Sequence, residues 1–193
     1  MSTVISGDTG VSQVQDGVIQ TTDIAAGAVT PEKMSQKLTL GTAQNTTSGT
    51  SVDFTGIPSW SKRITVMFSG VSTNGTSLLV QIGNLGGIET TNYLGSGTVS
   101  SGTSTGNTIS ATGFYFNMQG ATKTASGLLT INLLSSVTNT WAAFGVVSSS
   151  DAGQTCIASG SKSLSNTLDR IRITTVNGTD TFDAGTINIM YEG

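Results

Sequence analysis

From residue 38 onward, hydrophobic and polar positions alternate along most of the chain. This period of two is typical of β-strands that bury one face. It is clearest in the runs RIRITT at residues 170–175 and TINIMY at residues 186–191. About ten such runs follow one another with no helical pattern between them. They predict an all-β fold, an antiparallel β-sandwich of jelly-roll type, with an immunoglobulin-like sandwich left open as the alternative topology.

The predicted strands are separated by turn-forming residues such as glycine, asparagine and proline. They cover residues 38–44, 50–54, 63–71, 77–83, 89–94, 109–118, 126–135, 140–149, 154–161, 168–176 and 185–191. Asn74-Gly75 is a hairpin signal between two of them. Residues 95–108 are rich in serine, threonine and glycine, and they predict a long loop of the kind that is often mobile or functional.

Residues 1–37 have a different pattern. Val14, Ile19, Ile24, Val29 and Met34 recur at every fifth position. Neither a helix nor a strand has this period. One interpretation is a pseudo-repeat whose apolar residues meet on an axis shared by three chains. The alternative is a disordered tail in which the spacing arises by chance.

The segment Thr30-Pro31-Glu32-Lys33 is a helix-start signal, because threonine caps helices and proline suits the first helical position. It predicts a helix of about two turns through Lys37, which is marginal unless it packs on something else. We therefore expect an extended or helical stem segment at residues 1–37. Residues 38–193 are expected to form a β-sandwich head domain.

Two stretches of the head, residues 54–77 and 168–192, resemble a domain common at the C-terminus of bacteriophage tail-fibre and related virion proteins. The resemblance extends over roughly residues 39–193. The segment DGVIQTTDIAAGAVTPEKM at residues 16–34 also resembles linker motifs of phage fibre proteins. The resemblance implies a homotrimeric virion component that contacts other virion proteins through its N-terminal segment. It implies no catalytic residue.

The composition fits a surface of hydroxyl groups rather than charges. Glycine accounts for 25 of the 193 residues, serine and threonine are each more frequent, and only 10% of residues are charged. Ordinary soluble domains have about 25% charged residues. The net charge of −3 argues against a nucleic-acid partner, which would require a basic face. No stretch predicts membrane insertion or a signal peptide, so we expect synthesis in the host cytoplasm and a place in the virion.

The absence of histidine removes Ser-His-Asp and Cys-His catalysis together with histidine metal sites. Of the carboxylates near the C-terminal loop, Asp169, Asp180 and Asp183, the last two fit a turn better than an acid–base pair. A calcium site formed by Asn177, Asp180 and Asp183 is the weaker alternative. We expect no cofactor and no metal.

Among the aromatic residues, Trp60 and Trp141 are expected to be structural. Phe114 and Phe116 alternate with Tyr115, which predicts that one side of this strand lies in the core. Tyr93 adjoins the glycine-rich segment and is the best candidate for an exposed receptor contact. Cys156, the single cysteine, is expected to be a small buried hydrophobe.

The sequence thus predicts a non-enzymatic, homotrimeric bacteriophage fibre or virion-surface protein that mediates attachment to host-surface glycans. Weak, multivalent contacts suit a surface with many hydroxyl groups and few charges. The alternative is a structural decoration or adaptor protein of the capsid, neck or baseplate with the same fold. A carbohydrate-active enzyme is disfavoured by the missing histidine and by the lack of a suitable carboxylate pair.

Overall fold

The computed structural model describes residues 24–30, 33, 37–75, 77–102, 104–118, 120–121, 123–149 and 153–193. The chain divides into two units, Met1–Lys37 and Leu38–Gly193. Within the first unit, the described residues form turns in which Ala28 N donates to Ala25 O over 2.9 Å and Lys33 N donates to Thr30 O over 2.9 Å. Most of the helix expected through Lys37 lies outside the described residues.

The second unit consists of strands joined by turns and loops. In chain order the strands are β1 (Thr39–Leu40), β2 (Gln44–Asn45), β3 (Ser51–Thr55), β4 (Arg63–Thr73), β5 (Leu78–Asn84), β6 (Gly87–Ile88), β7 (Leu94–Ser101), β8 (Ser104–Ser110), β9 (Phe114–Phe116), β10 (Ala125–Ser135), β11 (Thr140–Ser149), β12 (Gln154–Ser163), β13 (Arg170–Thr175) and β14 (Phe182–Glu192).

These strands form two sheets in which all pairings are antiparallel. The large sheet has nine strands in the order β1-β14-β4-β10-β11-β12-β7-β8, with β2 also paired to β14. The small sheet has five strands in the order β3-β13-β5-β6, with β9 also paired to β5. Consecutive strands repeatedly change sheet, so that β3, β5 and β13 lie in the small sheet while β4 and β14 lie in the large one.

The core lies between the two sheets, as the alternation in the sequence requires. In β4 the side chains of Ile64 and Val66 are fully buried. In β13 the side chains of Ile171 and Ile173 are fully buried in the same core. Phe68 of the large sheet meets Phe116 of the small sheet edge to face, with ring centroids 5.8 Å apart. The prediction of an antiparallel β-sandwich is therefore confirmed.

The finer prediction of a jelly roll is not confirmed. Strands β10, β11 and β12 are neighbours in the large sheet in the order of the sequence, so they form a simple meander. Asn139, in the turn between β10 and β11, has a positive φ of 47°. The meander occupies the centre of the large sheet.

The prediction of a long loop at residues 95–108 is wrong, because this segment forms most of the hairpin of β7 and β8. Its residues lack the apolar alternation that the strand prediction relied on. Gly97 replaces a core side chain in β7, where a Cβ atom would lie 2.5 Å from Cδ1 of Tyr115 and collide with its backbone. Close approach to β9 therefore explains the glycine at position 97.

Several strand boundaries also differ from the prediction. Residues 38–44 contain the two-residue strand β1 and the first residue of β2, and residues 89–93 are a connection that leads into β7 at Leu94. The run 109–118 contains only the short strand β9 and the end of β8. Asn74-Gly75 is not a hairpin turn, because it connects β4 of the large sheet to β5 of the small sheet. Asn74 instead bonds Thr181, whose N donates to Asn74 Oδ1 over 2.8 Å.

Candidate functional site

The outer face of the large sheet is the first candidate interaction surface. Along β10, Leu129 and Ile131 point into the core and are fully buried. Leu128 of the same strand points outward and is 47% exposed. Along β11, Val147 is buried and Phe144 is 59% exposed. Hydrophobic side chains therefore occupy both faces of the meander. In a sheet whose outer face contacts only water, that face usually carries polar side chains instead.

The outward-facing hydrophobic residues are neighbours in the register of the sheet. Leu128 pairs with Val146 of β11 and with Met67 of β4, and Val146 pairs with Ile157 of β12. Phe144 is two residues from Val146 on the same face. We call these five residues, Met67, Leu128, Phe144, Val146 and Ile157, the apolar cluster. Such contiguous exposed apolar surface typically marks an interaction site.

The strands on the β10 side of the apolar cluster carry no outward-facing charge, whereas β4 carries Arg63, which bonds Glu192 of β14. Strands β7, β8, β10, β11 and β12, all of them described, contain a single charged residue, Lys162, and its side chain points inward and is only 4% exposed. Hydroxyl groups lie around the cluster instead: Phe144 pairs with Thr130 on one side and with Ser159 on the other. This face has an apolar centre and a hydroxyl-bearing periphery.

A shallow groove of about 360 Å³ on the small-sheet side is the second candidate surface, and we call it the polar groove. Hydroxyl, amide and guanidinium groups line it, including those of Gln81, Thr112, Arg172, Thr174 and Asn177. Neighbouring groups hold several of these side chains in place: Gln81 Nε2 donates to Thr112 O over 2.9 Å, and Thr174 Oγ1 donates to Thr50 O over 2.8 Å. The groove therefore presents fixed hydrogen-bonding groups.

Arg172 is the charged group of the polar groove. Its Nε and Nη2 donate to the two carboxylate oxygens of Asp53 over 2.7 and 2.6 Å. Both side chains are more than a third exposed. Because a guanidinium has five N–H donors in a fixed plane, this bidentate pair orients Arg172 while leaving further donors on the groove side.

The sequence analysis offered Tyr93 as an exposed receptor contact, and this prediction is wrong. Tyr93 is only 2% exposed and packs against Phe114, with ring centroids 5.2 Å apart. Its hydroxyl accepts from Ile82 N over 2.8 Å and donates to Glu89 O over 3.0 Å. Burial raises the pKa of Tyr93 above its ordinary value. The glycine-rich residues near Tyr93 suggested that its side chain is exposed. The side chain instead lies beneath the preceding segment, where its hydroxyl bonds the backbone of Glu89 and Ile82.

Beside Tyr93 lies a buried ion pair that the sequence analysis missed. Lys162 Nζ of β12 lies 2.6 Å from Oε2 of Glu89, and the same ammonium lies 5.6 Å from the centre of the Tyr93 ring. Oε1 of Glu89 accepts from Asn84 Nδ2 over 2.9 Å and from Ser165 N over 2.8 Å. The pair joins a strand of the large sheet to the end of the small sheet.

Two opposing effects act on the pKa of Glu89. Burial alone would raise it, but hydrogen bonds from Lys162 and Ser165 and the nearby charge of Lys162 lower the pKa below the ordinary value of 4.5. The satisfied hydrogen bonds identify a structural pair rather than a reactive acid. No sequence signal linked these residues, because they are 73 positions apart and only the strand order brings them together.

Asp169 and Asp180 near the C-terminal loop bond neighbouring side chains, whereas Asp183, predicted in the turn, is an exposed residue of β14. Asn177 Oδ1 accepts from the backbone N of Thr179 and of Asp180, each over 3.0 Å, and its Nδ2 donates to Asp180 Oδ1 over 2.8 Å. This is the turn chemistry that the sequence predicted. Asp169 is held by Arg170, whose Nε donates to Oδ1 over 2.7 Å. The described residues contain no group of three acidic or cysteine residues placed to hold a metal.

The remaining aromatic residues and the cysteine are mainly structural. Trp141 is 3% exposed, and Trp60 stacks at a tilt on Tyr191 with centroids 5.7 Å apart. Phe114 and Phe116 are fully buried, while Tyr115 is half-buried and bonds Ser77 Oγ over 3.0 Å. Cys156 is fully buried, and burial raises the pKa of its thiol to about 11. These predictions are confirmed.

Only part of the five-residue pattern falls within the described residues. Ile24 is 45% exposed and Val29 is 59% exposed. Val14, Ile19 and Met34 lie outside the described residues, so the stem interpretation stays a prediction.

Comparisons with protein-family models, with curated proteins and with solved structures found no match for the chain. Within the part of the chain that the structure describes, no helix has the length and hydrophobicity needed to cross a membrane.

Proposed function

We propose that the protein is a homotrimeric bacteriophage fibre or virion-surface protein whose head domain attaches to host-surface glycans. The observation that carries this proposal is the polar groove. Its volume of about 360 Å³ lies within the range of roughly 300–1,000 Å³ that is usual for small-ligand sites. Its hydroxyl, amide and guanidinium groups match the donors and acceptors of sugar hydroxyl groups.

Few charges and many hydroxyl groups favour weak binding at each groove. Three copies on one fibre would raise the overall affinity through effective concentration rather than through tighter single contacts. The resemblance of residues 54–77 and 168–192 to virion proteins supports the same function. Residues 1–37, with their five-residue spacing, are the segment we assign to docking on the virion.

Binding of the fluorescently labelled protein to intact bacterial cells, and to their purified surface polysaccharide, tests the proposal. We expect Gln81→Ala and Arg172→Ala each to weaken cell binding about tenfold, which corresponds to the loss of one or two hydrogen bonds. Lys62→Ala, which removes a positive charge at an exposed residue outside the groove and the apolar cluster, is the matched control and should bind like the parent protein. Equal binding by all three variants would contradict the assignment of the groove.

The second candidate is a decoration or adaptor protein of the capsid, neck or baseplate. The apolar cluster favours it, because an exposed apolar sheet face suits contact with another protein. Such a protein would bind virion components and leave cells and polysaccharide unbound in the same assay. Detection of the chain in purified particles by mass spectrometry is expected for both candidates, and its absence there would contradict both.

A further inference from the structure

We infer that the outer face of the large sheet, centred on the apolar cluster, is the surface through which one copy of this chain binds another. The inference rests on the self-assembling virion protein proposed above and names the surface that its assembly uses. It is independent of the polar groove, which lies on the small-sheet side.

The apolar cluster is too exposed to serve the fold of a single copy. Phe144 is 59% exposed, Leu128 47% and Ile157 38%. The core between the two sheets is complete without these three side chains, because Leu129, Ile131 and Val147 fill the inner face of the same strands. Covering the three exposed side chains would remove apolar area from water, which favours association.

The size of the face suits a stable interface between proteins. Six strands, from β4 to β8 in the sheet order, at about 4.8 Å per strand give a width of about 29 Å, and about eight residues at about 3.3 Å give a length of about 26 Å. The product, about 750 Å², is close to the roughly 800 Å² that each partner buries in an interface of standard size.

The charge distribution favours a second copy as the occupant. The chain has a net charge of −3, so two copies repel each other through their charged regions. Strands β7, β8, β10, β11 and β12 have no outward-facing charge, so here one copy can approach another without like-charge repulsion or loss of charge hydration. A charged partner would find no charged group on these strands with which to form an ion pair.

A glycan is a poorer match for this face. Four of the five residues in the apolar cluster are aliphatic, and they offer a sugar neither hydrogen bonds nor a flat aromatic ring. They do offer close packing to apolar side chains of a second copy, as the cores of protein interfaces do. The serine and threonine residues around the cluster can exchange hydrogen bonds at the periphery, as interface rims usually do.

The test compares two single substitutions to lysine in the full chain. Phe144→Lys places a charge in the apolar cluster, whereas Leu85→Lys places the same charge at an 83% exposed residue of the turn between β5 and β6. Light scattering after size exclusion should give the mass of an oligomer for the parent protein and for Leu85→Lys. For Phe144→Lys we expect the monomer mass, or an association weakened at least tenfold, with unchanged circular dichroism.

A second measurement keeps the test informative even where Phe144→Lys fails to fold. Thr155→Cys introduces an exposed thiol on the same outer face, and Leu85→Cys introduces one on the turn. The native Cys156 is fully buried and contributes little background labelling. We expect Thr155→Cys to react with a maleimide at least tenfold more slowly in concentrated than in dilute protein, and Leu85→Cys to react equally in both.

A parent protein that stays monomeric at all concentrations would overturn the inference, as would an oligomer that Phe144→Lys leaves intact. Added polysaccharide could also slow the maleimide labelling of Thr155→Cys without changing the mass of the protein. That result would identify a glycan as the ligand of this face and would equally overturn the inference. Cell binding separates this inference from the proposed function: a monomer that binds cells contradicts only the inference. An oligomer that binds neither cells nor polysaccharide contradicts only the attachment function.

Discussion

The outer faces of the two sheets differ more than their shared fold suggests. The large sheet presents an apolar cluster surrounded by hydroxyl groups and no outward charge on five of its strands. The small sheet presents the Arg172–Asp53 pair and a groove of fixed polar groups. Both faces come from the same strand alternation, in which every second residue points outward. The difference indicates that the two faces have different partners, and that each can be disrupted while the other is preserved.

The largest effect is expected where the two sheets are joined. Lys162→Met removes the ammonium and leaves the carboxylate of Glu89 partly buried without its charged partner. Loss of one partner of a buried pair typically costs about 3–5 kcal/mol. Because the Glu89 side chain is 21% exposed, we expect the loss to lie at the lower end of this range. The free energy of unfolding measured by urea denaturation should fall by about 3 kcal/mol.

Lys62→Met, at an exposed lysine, is the matched control and should change the free energy of unfolding by less than about 0.5 kcal/mol. Similar small losses for both variants would mean that the ion pair does not hold the sheets together. The double variant Lys162→Met with Glu89→Gln should recover part of the loss, since no buried charge then remains unpaired.

A smaller effect is expected where β7 crosses β9. Gly97→Val brings a side chain against Tyr115, where even a Cβ atom is too close to the Tyr115 backbone. We expect a loss of about 1–3 kcal/mol from overpacking. Ser96→Val makes a similar change one residue earlier, on the exposed outer face, and should be close to neutral by thermal unfolding. Equal stability of the two variants would contradict the packing described for this strand.

The ion pair also predicts how stability depends on pH. The folded-state pKa of Glu89 is below the ordinary value of 4.5, so its charge contributes stability above about pH 4.5. This contribution is lost as the pH falls from 4.5 through the lower pKa of the folded state. Glu89→Gln should reduce the slope of unfolding free energy against pH in this window. An identical slope in the variant would assign acid sensitivity to other carboxylates.

The smallest effect on stability is expected at the face of the small sheet. Asp53→Asn breaks a pair in which both side chains are more than a third exposed, and such pairs contribute about 0.2–1 kcal/mol. Added salt should weaken this contribution but should leave self-association through the apolar cluster unchanged or stronger. Sedimentation at low and high salt measures the second effect. Dissociation by salt would show that charged groups carry the association.

Sequence alternation predicted the strands that have one apolar face and failed for the others. Strand β13 was predicted to within two residues at each end, because apolar and polar residues alternate throughout RIRITT. The hairpin of β7 and β8 was predicted as a loop, because Gly95 and Gly97 stand where side chains would normally signal burial. Those glycines allow backbones to approach closely, a property that depends on a distant residue such as Tyr115.

The candidate surfaces were less predictable than the fold. A count of charges suggests a hydroxyl-rich surface, but only the register of β4, β10, β11 and β12 brings Met67, Leu128 and Ile157 together. The same applies to Arg172 and Asp53, which are 119 positions apart. Tyr93 was predicted on the surface because the residues near it in sequence are small and polar. Its burial depends on Phe114 and Ile82, which the fold places over it.

The pairing of β14 with β4 has a consequence for the rate of folding. Ile187 of β14 lies opposite Phe68 of β4, more than a hundred residues earlier, whereas the meander of β10 to β12 needs only local turns. Proteins dominated by such distant pairings fold in milliseconds to seconds, and those with local contacts fold much faster. The meander can therefore form while β4 still lacks β14. During that interval the apolar cluster is exposed on an incomplete sheet, so refolding yield should fall as protein concentration rises.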